Sequence, residues 1–212
     1  MGAAGASSSA KPEQPAGPAE DIELALADAK DHVRVLIWSG LYDRETIYDA
    51  ALDIAADGEV PGREDDLMLY FDEEFERKVE QERTWPAVTD CDRLDAVFDG
   101  LMAVGIYAAQ NPGFTLQEGR WNVEEAVAEK PKGSFHGFCF YHGQDLARAV
   151  DGMGLMLGFG DLADDDSRTV AVGHTIQRAL QDAGFETTWD GTADQRINLP
   201  SIDWKRRLKT RT

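Results

Sequence analysis

The side chains with the most potential for chemistry lie in the run Tyr141-His142-Gly143-Gln144-Asp145. Apolar residues before the run predict a strand and those after it predict a helix. Such junctions present side chains and helix N–H groups to a cleft, where they suit anions or polar ligands. His142 is a candidate general base that Asp145 would orient. The alternative, which so short a motif favours, is a helix capped by Gln144 or Asp145 with His142 in a structural hydrogen bond.

A second candidate for chemistry is a nucleophilic thiol at Cys91 with His142 as its base. Cys91 is predicted to lie in the first turn of a helix, where the helix dipole lowers a thiol pKa. The flanking carboxylates of Asp90 and Asp92 oppose that shift. Cys91 and Cys139 both sit in apolar patterns, and two thiols without CxxC spacing make neither a disulfide framework nor a zinc ribbon. Small buried hydrophobic side chains are therefore the expected role of both.

Neither a metal nor a cofactor is predicted. Asp90, Asp92 and Asp95 resemble the start of a calcium loop, but the glycine and the closing glutamate of that loop are missing. The glycines between positions 152 and 160 lack the lysine of a phosphate-binding loop. Glycines around a buried strand more often allow close backbone packing. The predicted binding residues are instead polar groups at strand ends, namely Gln110, Asn111, Tyr141, His142 and Gln144.

The elements that must position these side chains begin with helices. Apolar residues at helical spacing predict four of them, over about 22–39, 43–57, 64–83 and 90–104. Asp43 is the expected N-cap of the second helix, and Thr89 or Asp90 that of the fourth. On the third helix the acidic residues 72–74, 76 and 80 are expected to face water.

From residue 105 onward the pattern alternates between strands and helices. Strands are predicted at 106–110, 134–141, 155–159, 185–189 and 196–199, and Asp190-Gly191 is a turn signal between the last two. Helices are predicted at 121–129, 144–150 and 168–183. The result is an α+β fold, in which an N-terminal helical half packs on a mixed or antiparallel sheet of about five strands with intervening helices.

The predicted organisation is a disordered leader at 1–19, a single α+β domain at 20–204 and a basic tail at 205–212. The helical part of the domain spans 20–104 and the sheet part 105–204. Residues 1–19 lack the basic start and apolar run of a signal peptide, and no apolar window reaches the length of a membrane span. A reducing cytoplasm is the expected compartment.

Charge is the most unusual property of the composition. The formal net charge of the 212-residue chain is -19, and residues 20–99 alone carry 24 acidic and 8 basic side chains. Such a surface repels phosphate backbones, so nucleic acid is an unlikely partner of the domain itself, whereas a basic protein would be attracted. The basic tail could touch nucleic acid or dock on the protein's own acidic helices, and the strong acidic field favours docking.

Four blocks resemble an uncharacterised bacterial family, a domain of unknown function. The blocks are WPAVTDCDRLDAVF at 85–98, GIYAAQN at 105–111, FYHGQDLARAVDGMGLMLGFG at 140–160 and VGHTIQRALQDAGFETTWDGTADQRI at 172–197, with DW and RR at 203–207. The resemblance implies a single domain and no established activity. In that family the strand ending in Gln-Asn is often followed by cysteines, a possible metal or redox site. Here the loop at 112–116 has none.

These observations leave the reaction, if any, unknown and support two main hypotheses. The first, which the sequence favours over an enzyme, is an acidic cytoplasmic binding or regulatory protein, for example an immunity-like inhibitor of a basic partner. The second is a small hydrolase or ligand-binding domain with a polar site around His142 and Asp145. A structural homodimer is a third possibility, because the sequence leaves the oligomeric state open.

Overall fold

A computed structural model describes residues 18–57 and 60–209 of the chain. Most of the predicted leader and the last three residues of the predicted tail therefore lie outside the described residues. Along the described residues the chain forms seven helices and four strands, in the order α1 (Pro18–Ser39), α2 (Arg44–Ala56), α3 (Glu64–Glu82), α4 (Asp90–Ala103), β1 (Ile106–Gln110), α5 (Leu116–Ala128), β2 (Gly137–Tyr141), α6 (Gly143–Val150), β3 (Leu155–Asp161), α7 (Asp166–Asp182) and β4 (Ile197–Leu199).

Helices α1, α2 and α3 enclose a core of their own. Each contributes one apolar stripe, and Val33, Ile47 and Phe71 are among the buried residues where the stripes meet. Asp43 caps α2 as predicted, since its side chain accepts a hydrogen bond from the backbone N–H of Thr46. The predicted helical half is thus built around a core separate from that of the sheet.

The sheet is mixed. Its strand order is β1-β2-β3-β4, with β1 parallel to β2 and the other two pairs antiparallel. The α+β fold predicted from the sequence is confirmed, with four strands rather than about five. The parallel pair matters most for function, because the carboxyl ends of β1 and β2 meet at one edge.

Both faces of the sheet are covered. Cys139 and Tyr141 of β2 face the larger core with α4 and α7, whereas Phe138 and Phe140 face α5. Because side chains alternate along a strand, all five residues of β2 are buried. Gly160 of β3 lies opposite Phe138 of β2, and a Cβ on Gly160 would come within 2.7 Å of the Phe138 ring. The glycines between positions 152 and 160 were predicted to allow close packing, and this is confirmed at Gly160.

Residues 200–209 fasten the helical half to the sheet. The Trp204 ring packs edge-on against Tyr141, and its Nε1 donates to the Ser39 carbonyl at 3.3 Å. Lys78 is fully buried and donates from Nζ to the carbonyls of Ile37 at 2.9 Å and of Arg206 at 2.8 Å. The described part of the basic tail therefore docks on the protein's own helices.

The predicted strand at 185–189 is wrong. Apart from the single bridge between Thr188 and Asn198, the segment does not pair. Trp189 Nε1 donates to the carbonyls of Thr192 and Gln195 at 3.0 and 3.1 Å, and Asp190 accepts from Thr192. These bonds fold 189–195 into a loop, so no hairpin with a two-residue turn forms.

Other helix and strand boundaries differ from the predicted ones. Helix α5 begins at Leu116 rather than Trp121, because Thr115 and Glu118 form a capping box. The second strand begins at Gly137 rather than Ser134, and the third continues to Asp161.

Glu74, predicted to face water, is buried and accepts from Trp38 Nε1 at 2.6 Å. Only the neighbouring helix α1 explains this last burial.

Candidate functional site

The candidate site lies at the edge where β1 and β2 end. The two strands are in register there, with Gln110 opposite Tyr141. Asn111 follows β1 in a left-handed conformation with φ 50°, and His142 follows β2 immediately before α6. The predicted binding residues therefore do lie at one sheet edge, but their environments differ.

Gln110 and Tyr141 belong to a buried hydrogen-bond chain. The Tyr141 hydroxyl donates to Gln110 Oε1 at 2.8 Å, and Gln110 Nε2 donates to Asp95 Oδ1 at 2.8 Å. Arg206 completes the chain with two bonds to the Asp95 carboxylate, at 2.7 and 2.6 Å. Burial raises the pKa of Tyr141. These side chains connect α4, the sheet and the tail, and their hydrogen bonds to one another occupy the Tyr141 hydroxyl and both polar atoms of the Gln110 amide.

His142 and Asp145 form a buried cluster with Arg196. Arg196 Nη1 donates to both oxygens of Asp145, at 3.0 and 2.8 Å, and His142 Nε2 lies 2.9 Å from Asp145 Oδ2. Burial lowers the pKa of His142, although the Asp145 charge opposes that shift. The predicted pairing of His142 with Asp145 is present. Arg196 was not predicted, because it lies 51 positions after Asp145, immediately before β4.

Cys91 is not poised for nucleophilic attack. It lies in the first turn of α4 with its side chain buried in the core, and burial raises the pKa of its thiol to about 12. No hydrogen bond joins Cys91 to His142 among the described residues. Cys139 is also buried, and desolvation raises its pKa as well. The expectation that both cysteines are small buried side chains is confirmed.

The N-terminus of α6 is not open to an anion. Gly143 N–H donates to the Gly113 carbonyl at 2.9 Å, and Gln144 N–H donates to the Phe114 carbonyl at 3.2 Å. The predicted free N–H groups at this junction are therefore already bonded to the loop after β1. The Gln144 side chain is exposed to solvent.

Beside this junction lies a cavity of about 660 Å³. Its walls come from α1, the loop after β1 and the first turns of α6, together with Tyr42. The lining residues are Asp28, Asp31, His32, Val35, Leu36, Tyr42, Asn111, Pro112, Gly113, Phe114, Gly143, Leu146 and Ala147. Its volume is that of a small-molecule site, and its walls combine apolar side chains with a few polar groups, as such sites do.

The cavity differs from the predicted site in its residues. Of the predicted binding residues only Asn111 lines it, donating from Nδ2 to the Tyr42 hydroxyl at 2.9 Å. His142 and Asp145 lie behind the wall and do not line it. Asp28 and His32 were missed, although their spacing of four places both on one face of α1. The sequence alone does not show that this face of α1 crosses the ends of β1 and β2.

Ion pairs hold α1 beside α6 at this cavity. Arg34 donates from Nη2 to Asp31 and to Asp151, both at 2.7 Å. Asp151 follows α6 directly, so Arg34 bridges the two helices that form the walls. The Arg34 guanidinium is shared between Asp31 and Asp151 and does not itself line the cavity.

In residues 18–57 and 60–209 no cluster of three or more His, Cys, Asp or Glu side chains has an arrangement that could hold a metal ion. Within the same ranges, no helix is both long and apolar enough to cross a membrane.

Comparison with known proteins gives one match. A family model described as a domain of unknown function (DUF6891) matches residues 23–208. No curated protein and no solved structure matches the chain. The matched range takes in α1, the cavity and the docked part of the tail.

Proposed function

The chain belongs to the DUF6891 family, and we propose that it is a ligand-binding domain whose site is the cavity between α1 and α6. The observation that carries this proposal is the cavity itself, about 660 Å³ at the carboxyl ends of two parallel strands. In sheets with parallel strands, ligands bind at this edge. The unpaired thiols at Cys91 and Cys139 support a reducing compartment, and we place the protein in the cytoplasm.

Binding without catalysis accounts for the site better than hydrolysis does. A general base must reach the proton that it removes, directly or through one water. His142 lies behind the cavity wall with its Nε2 against Asp145 and Arg196. Asp28, Asp31 and His32 line the cavity, but no ion pair joins His32 to either carboxylate within the described part of the chain, and the lining residues include no serine or cysteine. The hydrolase hypothesis around His142 and Asp145 is therefore not the one we favour.

The proposal is tested by filling the cavity. Ala147 lines it and is half-buried, so Ala147→Trp places an indole in the space without removing a core side chain. Ala126 of α5 is equally half-buried and does not line the cavity, so Ala126→Trp is the matched control. The probe is 1-octanol, for which a dissociation constant on the order of 1 mM corresponds to about 4 kcal/mol.

We expect ligand-detected NMR to show 1-octanol bound to the wild type and to Ala126→Trp, and at least tenfold weaker binding to Ala147→Trp. Circular dichroism of each variant checks that the fold is retained. Equal binding by all three folded proteins, or no binding by any of them, would overturn the proposal.

A second function, binding of a basic protein partner, is favoured by a separate observation. The outer faces of α2 and α3 carry exposed carboxylates that make no ion pair within the described residues, among them Asp49, Asp53, Asp65, Glu73 and Glu76. Unpaired carboxylates speed the encounter with a basic protein and tighten a complex at low salt. A regulator, or an immunity-like inhibitor that covers a basic partner, would use such a face.

This second function predicts a stoichiometric, salt-sensitive complex. The decisive variant combines Asp65→Asn, Glu73→Gln and Glu76→Gln, and its control neutralises Glu125, Glu129 and Asp182 on other helices. Affinity capture at low salt should recover the same partner with the wild type and the control, and much less with the α3 variant. Equal recovery by both variants would show that the α3 face is not the contact.

A further inference from the structure

We infer that the cavity selects an organic cation with an apolar body, an inference that rests on the proposed ligand-binding function. The ammonium group would lie at the Asp28 end of the cavity, and the apolar body would lie against Leu36, Leu146 and Phe114. This assigns a ligand class to the site from the charges and surfaces of its walls.

The charges of the lining residues favour a cation. Among the thirteen lining residues, two are carboxylates, one is a histidine and none is lysine or arginine. Asp31 is paired with Arg34, but Asp28 is exposed and has no ion pair within the described part of the chain. A cationic group at this end would therefore meet a carboxylate that no protein cation already satisfies.

The backbone donors that an anion would use at this edge are already bonded. The first two N–H groups of α6 point at this edge, but both are bonded to the loop carbonyls of Gly113 and Phe114. An anion would also enter against two carboxylates and the overall charge of -19. The site thus disfavours carboxylates and phosphates, the ligands most often expected at a helix N-terminus.

An exposed aromatic ring adds apolar surface for the body of the ligand. Phe114 lines the cavity although 63% of its surface is exposed, and Tyr42 lines it from another side. The exposure of a large apolar side chain at this rim is explained if a ligand covers it.

The polarity of the α1 wall changes along the helix axis. Asp28, His32 and Leu36 follow one another at intervals of four on a single face, and Val35 lies beside Leu36. At 1.5 Å per residue, Asp28 and Leu36 are about 12 Å apart along the axis. Octylammonium has a similar length, with one charged end and one apolar end, so it is the probe that matches this wall.

The test compares three probes of equal chain length, octylammonium, 1-octanol and octanoate, by ligand-detected NMR on the full chain. We expect octylammonium to bind about three- to tenfold more tightly than 1-octanol, and octanoate to bind more weakly than 1-octanol. Asp28→Asn should weaken octylammonium two- to fivefold, the range for one exposed carboxylate, and leave 1-octanol unchanged. Asp49→Asn, an exposed change outside the cavity, controls for net charge.

The outcomes separate this inference from the proposed function. If 1-octanol and octylammonium bind equally, if octanoate binds best, or if Asp28→Asn has no more effect than Asp49→Asn, the cation preference is refuted while the ligand site stands. If no probe binds in a way that Ala147→Trp abolishes, the ligand-binding function itself fails, and the cation preference fails with it.

Discussion

Replacing Asp145 with asparagine distinguishes a structural from a catalytic role for the most conspicuous polar motif in the chain. Asp145 is only 1% exposed and accepts from Arg196 at two oxygens, with His142 Nε2 at 2.9 Å. Asparagine keeps the shape but removes the charge and turns one acceptor into a donor. Breaking a buried ion pair by removing one partner costs about 3–5 kcal/mol. The Arg196 side chain is 28% exposed, so water can reach it, and we expect a loss of about 2–3 kcal/mol.

The assay is urea unfolding followed by circular dichroism, in a double-mutant cycle with Arg196→Met. We expect Arg196→Met alone to cost about 2–3 kcal/mol, because it leaves the Asp145 carboxylate buried with only His142 beside it. The double variant should lose about 1–2 kcal/mol less than the two single losses added together. Asp49→Asn, an exposed carboxylate without an ion pair, should change stability by less than about 0.5 kcal/mol.

An unfolding free energy for Asp145→Asn within about 0.5 kcal/mol of the wild type would refute this reasoning. It would mean that the cluster contributes little to the fold, and a chemical role for His142 and Asp145 would again be the better explanation of their burial together.

Three further predictions use the ionisation of buried groups. Cys91 and Cys139 should not react with a thiol reagent at pH 8 in the folded protein and should both react in urea, because burial raises the pKa of each thiol and that of Cys91 reaches about 12. Burial lowers the pKa of Lys78 to about 8, so between pH 8 and pH 10 the unfolded chain binds a proton that the folded chain does not. The stability of the wild type relative to Lys78→Met should therefore rise with pH across this interval, by about 2 kcal/mol in chemical unfolding, and a fall would contradict the assignment. Burial also lowers the pKa of His142 below its ordinary value, so the folded chain resists its protonation. On acidification from pH 7 to pH 5 the wild type should lose more stability than His142→Gln, and an equal loss would show that His142 does not titrate as described.

Prediction from the sequence succeeded where a local signal decides the structure. Asp43 and Thr89 cap α2 and α4 as expected, because an N-cap needs only a side-chain oxygen and the N–H groups two or three residues later. The same kind of signal at Thr115 and Glu118 was present and overlooked, which is why α5 begins five residues before its predicted start.

Prediction failed where a distant residue decides the structure. Glu74 is buried because Trp38 of α1 donates to it, and Lys78 is buried because carbonyls of α1 and the tail converge on it. Neither partner lies within 30 positions along the chain, so helical periodicity could not reveal the contacts. The segment 185–189 was predicted to be a strand, but the Trp189 side chain donates to loop carbonyls and the segment does not pair as a strand.

The candidate site shows the same division. The strand ends were predicted to gather polar residues, and Gln110, Asn111, Tyr141 and His142 do meet where the parallel strands β1 and β2 end. The cavity, however, depends on α1 crossing the edge, which brings in residues more than 70 positions before Asn111. The packing of α1 against this edge determines which polar atoms remain without a hydrogen-bond partner there.

The central claim is that the cavity beside α6 is the binding site, and an amide NMR titration of the full chain with octylammonium tests it most directly. We predict that the largest shifts occur at Asn111, Phe114, Gly143 and Ala147, and that Ala147→Trp abolishes them. Shifts centred instead on the outer faces of α2 and α3, or spread evenly over the chain, would contradict the claim.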